Sequence, residues 1–235
     1  MTELITMHTH STFCNHAKDP LGDMVQAAVD AGIAHMAATE HYPIPDELDP
    51  SKRSTMPAER LEAYIDAVRE QQKRDDIDVL LGCELDWLGK DETRALHASD
   101  FDRFDVVLGS IHFVDRWLMV SHKNMSRWKS VDLEAFWNRY VELWCEAAKS
   151  DMPFTVMAHA DVVKKFSPKP EFDLEPLYER MARAAREGGR MVEVNTSGAY
   201  AECAEYYPSP SLLQAFRPEG RGRGCVPALQ ELPWD

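Results

Sequence analysis

Several features that would place a protein in a class at once are absent from this sequence. The five cysteines are odd in number and none has C-x-x-C spacing, which argues against a disulfide framework. No apolar run approaches the ~20 residues that a membrane-spanning helix needs, and residues 1–4 show no signal-peptide pattern. These absences favour a reducing compartment without a membrane partner, and we expect a cytoplasmic location.

Basic residues are also scarce. Lys and Arg number 26 against 40 Asp and Glu, so the net charge is −14, which argues against a nucleic-acid-binding surface. A small phosphorylated substrate is still allowed, because bound metal ions can reverse the local sign of the field. With 235 residues and 44% hydrophobic content, the chain can bury one core, and we expect one domain over residues 1–216.

The strongest positive signal lies at the N-terminus. A short apolar run that begins at Leu4 leads directly into His8 and His10, and His16 follows in the next loop. Side chains alternate between the two faces of a strand, so His8 and His10 point the same way from its end. Imidazole is a common protein ligand for Zn, Fe and Mn, and this stretch therefore predicts part of a metal site.

Apolar runs of strand length alternate with helical patterns along the rest of the chain. After the first strand, such runs occur at residues 34–39, 77–83, 104–111, 154–158 and 191–195, and helical spacing occurs at 20–31, 57–74, 131–149 and 174–187. The alternation predicts an α/β fold with a parallel sheet, most simply a closed or nearly closed (β/α) barrel. A doubly wound open sheet is the alternative, but no Gly-rich phosphate loop follows the first strand. We expect residues 116–129 to form a loop.

Most histidines fall where these strands end, which in parallel α/β folds is where ligands bind. The residues at or just past the ends of five predicted strands are His8, His10, His41, Glu84, His112 and His159. By contrast, His35, His97 and His122 lie away from strand ends. This set exceeds the needs of one tetrahedral ion, so we predict two or more metals with Glu84 able to bridge them. Paired metals favour metal-assisted hydrolysis, most simply of a phosphate ester, and nitrogen and oxygen donors favour Zn, Mn or Fe.

Six motifs in order resemble those of the PHP (polymerase and histidinol phosphatase) superfamily. They are His8-Thr9-His10-Ser11, Thr39-Glu40-His41, Gly82-Cys83-Glu84, Gly109-Ser110-Ile111-His112, Ala158-His159-Ala160-Asp161 and Glu193-Val194-Asn195-Thr196-Ser197-Gly198. Longer matches, such as Phe13-Cys14-Asn15-His16 and Tyr207-Pro208-Ser209-Pro210, resemble the histidinol-phosphatase branch.

The resemblance implies a distorted (β/α)7 TIM-like barrel, a site for two or three divalent ions, and hydrolysis of L-histidinol phosphate in histidine biosynthesis. By position it implies seven metal ligands: His8, His10, His16, His41, Glu84, His112 and His159.

The residues around the phosphate and the leaving group are a separate hypothesis. We expect Lys164 or Lys165, together with the region of Ser197, to meet the phosphate; a solvated loop is the alternative for the two lysines. We expect Asp161 either to donate a proton to the leaving alkoxide or to hold an imidazole from behind.

The C-terminal part departs from the family pattern. A last strand with a Gly-Ser-Asp-Ala-His type motif is missing, and residues 217–235 are rich in Gly, Pro and Arg, with no histidine. We therefore expect an incomplete barrel followed by a disordered tail, with weakened metal occupancy and activity. Another PHP phosphoesterase, a metal-dependent amidohydrolase and a non-catalytic metal-binding or interaction domain remain open alternatives, as does the oligomeric state.

Overall fold

A computed structural model of the protein describes residues 3–51, 54–96 and 101–217. Its strands are β1 (Leu4–Thr6), β2 (Ile33–Ala38), β3 (Asp78–Asp86), β4 (Val106–Ser110), β5 (Phe113–Val114), β6 (Trp117–Leu118), β7 (Val156–Met157) and β8 (Met191–Val192). Its helices are α1 (Leu21–Asp30), α2 (Leu61–Gln71), α3 (Lys90–Ala95), α4 (Leu133–Lys149), α5 (Glu175–Gly188) and α6 (Pro210–Phe216). The elements therefore alternate between strand and helix, as the sequence predicts.

Six of the strands form one parallel sheet in the order β1-β2-β3-β4-β7-β8. Ile5 and Met7, at the β1 edge, pack against Leu108 and Val156 of β4 and β7. These strands are not neighbours in the sheet, so the contact requires the sheet to curl. In the described residues this parallel sheet has six strands, one fewer than a complete (β/α)7 barrel, which confirms the expected incomplete TIM-like barrel. Of the expected tail, residues 218–235 lie outside the described part of the chain.

Helices α1, α2 and α4 pack against the curled sheet, and α4 buries more residues than any other described helix. Trp137, Tyr140 and Trp144 on α4 are at most 1% exposed and form the main core with α5, as the aromatic spacing predicts. The side chain of Asp132 accepts a hydrogen bond from the backbone N–H of Ala135 and caps the start of this helix. Within the described residues, no helix is long and apolar enough to cross a membrane.

The expectation of a loop at residues 116–129 is wrong. β5 and β6 form an antiparallel hairpin, and a 3-10 helix follows at His122–Ser130. The two turn residues, Asp115 and Arg116, both have positive φ, at 47° and 62°. Such turns usually carry Asn-Gly or Asp-Gly, and the absence of that signal hid the hairpin. β3 also extends past its expected end, so Glu84 lies inside the strand.

Arg190 joins the start of β8 to the connection that follows α4. Its guanidinium donates hydrogen bonds to the backbone carbonyls of Ala148, Ser150, Met152 and Phe154. The planar fork of arginine can serve four carbonyls at once, whereas the point charge of lysine cannot. Arg190 therefore ties the start of β8 to the end of α4 and to the connection between α4 and β7.

We predict that Arg190→Lys lowers the free energy of unfolding by about 1–3 kcal/mol, because buried carbonyls lose charged donors. Urea denaturation monitored by tryptophan fluorescence measures the change. The control is Arg186→Lys, an exposed position in the last turn of α5, the helix that precedes β8. A denaturation midpoint for Arg190→Lys equal to that of the control would contradict this role.

Candidate metal centre

The carboxylate of Glu84 lies at the centre of a cluster of imidazole rings. Its Oε2 atom is 3.2 Å from His8 Nε2, 3.3 Å from His10 Nε2 and 3.0 Å from His41 Nδ1. Its Oε1 atom is 2.9 Å from His159 Nε2 and 3.5 Å from His112 Nε2. Five imidazole nitrogens thus surround one carboxylate that is 1% exposed.

The parallel sheet brings these residues together. His8 and His10 follow β1, while His41, His112 and His159 follow β2, β4 and β7. Because the strands run parallel, their C-terminal ends meet at one edge. Beyond the end of β2, the backbone of His41 still pairs with that of Glu84, which places the ring beside the carboxylate.

His16 completes the cluster from the loop after β1. Its ring centroid lies 5.4 Å from that of His10 and 5.1 Å from that of His41. The seven residues expected as metal ligands are therefore adjacent in the structure.

The electrostatics of the cluster suit a cation. Burial alone would raise the pKa of the Glu84 carboxyl, but His41, His8 and His112 hold it well below its ordinary value, so the group is ionised. Burial lowers the pKa of His41 to about 4, and burial with the neighbouring imidazoles lowers that of His16 to about 3. These two rings are therefore neutral at pH 7, as metal coordination requires. For His8 and His112, by contrast, the neighbouring carboxylates outweigh burial and raise the pKa above its ordinary value.

The hydrogen bonds within the cluster leave polar atoms unsatisfied. His41 Nδ1 and Glu84 Oε2 are buried and have no hydrogen bond of acceptable geometry, although they lie close together. Two pairs of Nε2 atoms also face each other, His8 with His10 at 3.1 Å and His112 with His159 at 3.2 Å. Lone pairs that converge in this way fit a divalent cation better than a set of hydrogen bonds.

Four groups of side chains have ligand atoms within 4.8 Å of one another. Two of them share Glu84: His8–Glu84–His159 and His41–Glu84–His112. A third, His10–His16–His41, consists of imidazoles alone and includes an exposed ring. The described residues therefore bring several sets of nitrogen and oxygen ligand atoms for divalent metal binding together around Glu84 and on its solvent side.

In the fourth group, His10–Cys14–Glu40, the side chains of Cys14 and Glu40 already accept hydrogen bonds from the backbone. Glu40 accepts hydrogen bonds from the backbone N–H groups of Ser11 and Cys14, and the Cys14 sulfur accepts one from the backbone N–H of His41. These bonds fold the loop between His10 and His16 around the cluster. We interpret Cys14 and Glu40 as supports for that loop.

Two carboxylates behind the cluster were not recognised from the sequence. Asp86 Oδ1 lies 2.9 Å from His112 Nδ1, and Glu193 Oε1 lies 2.8 Å from His8 Nδ1. Each bond directs the Nε2 atom of its ring towards Glu84. Asp86 is two residues from Glu84 on β3. Side chains two apart lie on the same face of a strand, so this spacing could have predicted that Asp86 lies beside the metal centre.

Two of the expected phosphate-binding residues line the same cavity as the histidines. This cavity has a volume of about 970 Å³, and its walls include Lys165 and Ser197. Burial lowers the pKa of the His112 imidazole, but Asp86 and Glu84 outweigh burial and raise it above its ordinary value; the nearby charge of Lys165 opposes that rise. The Ser197 hydroxyl donates to Asn195 Oδ1 at 2.6 Å.

Lys164 and Asp161 form a separate buried network beside the cavity. The Lys164 ammonium donates to Asp161 Oδ2 at 2.9 Å, to Glu205 Oε2 at 2.7 Å and to the Tyr206 carbonyl at 2.7 Å. The backbone N–H of Ser209 donates to the same Asp161 oxygen. Burial raises the pKa of the Asp161 carboxyl, and Lys164 opposes that rise. All three ammonium protons are used, so Lys164 ties residues 205–209 to the segment after His159.

The remaining histidines differ from one another in position. His35 is bonded to Glu3 and Asp78 near the surface, away from the cluster. His122 lies in the wall of the 970 Å³ cavity with its ring centroid 4.5 Å from that of Phe166. His122 thus lies in a 3-10 helix away from the strand ends, as expected, but its side chain still contributes to the cavity. His97 lies outside the described residues.

A curled parallel β/α sheet with imidazoles and a carboxylate at the C-terminal ends of its strands defines a divalent-metal-binding barrel protein. The chain belongs to the PHP domain family, whose pattern matches residues 6–197.

Two curated relatives support this placement. A protein of Deinococcus radiodurans assigned as a histidinol-phosphatase is 31% identical over 223 residues, which cover 94% of this chain and 84% of the relative. A protein of Schizosaccharomyces pombe with the same assignment is 24% identical over 238 residues, covering 92% of this chain and 77% of the relative.

Two solved structures share the fold. The first, from Listeria monocytogenes and assigned as a histidinol phosphatase, has a TM-score of 0.78 at 20% identity, with 89% of each chain covered. The second, histidinol phosphate phosphatase of Lactococcus lactis, has a TM-score of 0.72 at 18% identity, with 91% of this chain and 81% of that chain covered. The latter was solved with zinc, L-histidinol and phosphate.

We predict that Glu84→Gln lowers zinc affinity by more than ~100-fold. Loss of a group that only hydrogen-bonds a metal ligand costs ~10–100-fold, whereas this change removes a negative charge that two of the ligand groups share. Competition with a chromophoric chelator measures the affinity, and elemental analysis measures the bound metal. The control is Glu187→Gln, an exposed position on α5. Zinc binding by Glu84→Gln that matches the control would show that the centre does not depend on Glu84.

Proposed function

We propose that the protein hydrolyses L-histidinol phosphate to L-histidinol and phosphate in histidine biosynthesis. The observation that carries the proposal is the set of imidazole nitrogens around Glu84. The names of the relatives supply the substrate, since these proteins are assigned as histidinol-phosphatases. In the described part of the chain, Cys14, Cys83, Cys145 and Cys203 form no disulfide, which supports a reducing compartment, for which we propose the cytoplasm.

We further propose that two or three divalent ions, Zn, Mn or Fe, form the centre. Their ligands are His8, His10, His16, His41, Glu84, His112 and His159, and the unsatisfied His41 Nδ1 and Glu84 Oε2 support this set. When bound, such ions polarise a phosphoryl group and lower the pKa of water. The chain's own part is to hold the imidazoles in place and to bind the substrate beside them.

The charges around the cavity support a phosphorylated substrate. Five basic residues line it: Lys18, Arg116, Lys123, Arg127 and Lys165. Among the acidic lining residues, Asp49, Glu84 and Asp86 are buried and hydrogen-bonded or ion-paired. In a chain with a net charge of −14, a basic rim at this cavity attracts an anion towards the histidines.

We propose that Lys165 and Ser197 contact the phosphate, because both line the cavity with the histidines. For Asp161 the contacts favour a supporting role over proton donation, since one carboxylate oxygen already accepts bonds from Lys164 and Ser209. Lys164 serves the same support, because its three protons are committed.

A non-catalytic metal-binding domain is the second candidate, and one observation favours it. The sequence contains no histidine after His159, so the last ligands of the family pattern are not supplied by the residues that follow. Phosphate release from L-histidinol phosphate, measured after loading with Zn or Mn, separates the two functions. A panel of nucleotide and sugar phosphates tests the substrate. Metal binding without turnover on any ester would overturn the phosphatase proposal.

We predict that Lys165→Gln raises KM for L-histidinol phosphate by roughly 10-fold or more, because a charge-assisted hydrogen bond contributes about 1.5–3 kcal/mol. Steady-state kinetics at constant ionic strength measure KM and kcat separately. The matched control is Lys169→Gln, four residues along the same segment: both lysines border the neighbouring groove, but only Lys165 also lines the cavity with the histidines. Equal KM values for the two variants would remove Lys165 from the phosphate site.

A further inference from the structure

The two edges of the curled sheet are joined by a side chain. Within the described residues, β1 and β8 form the ends of the strand order and share no backbone ladder. Glu193 follows β8 directly and is fully buried. Its carboxylate reaches across to His8, which follows β1.

Both oxygens of Glu193 are engaged by N–H groups of the metal centre and its surroundings. His8 Nδ1 lies 2.8 Å from Oε1, and the backbone N–H of His159 donates to Oε2 at 2.7 Å. The Asn195 side-chain amide also donates to Oε1, at 3.3 Å. One carboxylate therefore contacts two of the candidate ligands, which come from β1 and from β7.

The bond to His159 holds a backbone conformation that is otherwise unfavourable. His159 has φ of 22°, a positive value outside glycine. Such conformations persist only where surrounding contacts determine them, and they gather at functional sites. The Glu193 bond to the His159 N–H and the bond from the Val162 N–H to the His159 carbonyl hold both sides of the residue.

The bond to His8 selects the ring nitrogen that faces the cluster. With Nδ1–H donated to Glu193, the Nε2 atom of His8 points at Glu84, 3.2 Å away. A carboxylate behind a ligating imidazole fixes the tautomer and the ring orientation. Glu193 is not itself placed as a ligand, because each of its oxygens already accepts an N–H.

We propose that Glu193 is a positioning residue that closes the open side of the barrel and sets the metal affinity of His8 and His159. This inference rests on the metal centre proposed above. Glu193 has two linked effects: it raises the affinity for the ion, and it limits opening of the sheet at the β1 edge. A residue that only stabilised the fold would leave the affinity of the folded protein for zinc unchanged.

The test is Glu193→Gln in the full chain. The amide has an oxygen at only one of the two positions that Oε1 and Oε2 occupy, so either His8 Nδ1–H or the His159 N–H then faces an NH₂ donor. We expect the dissociation constant for zinc, from chelator competition, to rise ~10–100-fold. We also expect faster amide hydrogen exchange in β1 and at residues 157–159. The matched control is Glu205→Gln, which removes a carboxylate bonded to Lys164 and leaves His8 and His159 untouched.

A zinc affinity for Glu193→Gln equal to that of the control would overturn the proposal. If the Gln variant does not fold, Glu193→Asp keeps the charge and shortens the reach by one methylene. The same rise in the zinc dissociation constant is expected there, and an affinity equal to wild type would again overturn it. Failure of the metal centre itself is distinguishable, because the wild-type chain would then bind no zinc. Hydrogen exchange without metal would still decide whether Glu193 closes the edge.

Discussion

A buried carboxylate surrounded by imidazoles is the interaction on which the rest of the structure depends. Glu84 is ionised and almost inaccessible to water, so its charge needs compensation inside the protein. The compensation comes from side chains on four other strand ends, which only a parallel sheet brings to one edge. The fold and the site therefore impose the same requirement, which is that β1, β2, β4 and β7 end beside Glu84.

That requirement explains why much of the protein could be predicted from the sequence. Alternating apolar runs and helical patterns imply parallel strands, and parallel strands imply that residues after each run converge. The adjacency of His8, His41 and His112 follows from these two steps alone. His16 lies in a loop, where no periodicity places it; its closeness in sequence to His8 and His10 and the family resemblance both point to it, and the structure puts its ring beside His10 and His41.

The features that escaped prediction depend on which way a side chain turns once the chain is folded. Lys164 and Lys165 are neighbours in a short 3-10 helix, yet their side chains point to different places. Lys164 is hydrogen-bonded to Asp161 and Glu205, whereas Lys165 lines the cavity. Neither charge nor spacing distinguishes them in the sequence. The hairpin of β5 and β6 was missed for a related reason, since tertiary packing around Trp117 maintains a turn without its usual residues.

The position of Glu193 links the closure of the sheet to the chemistry of the site. In a closed barrel, backbone bonds between the first and last strands would share the work of holding the edges together. In the described residues, a carboxylate between His8 and the backbone of His159 spans that gap. Binding free energies are reciprocal, so an ion that binds the correctly placed rings also stabilises the closed edge. A barrel of this kind gains part of its stability from the metal it binds, by the same mass action that stabilises any ligand-bound native state.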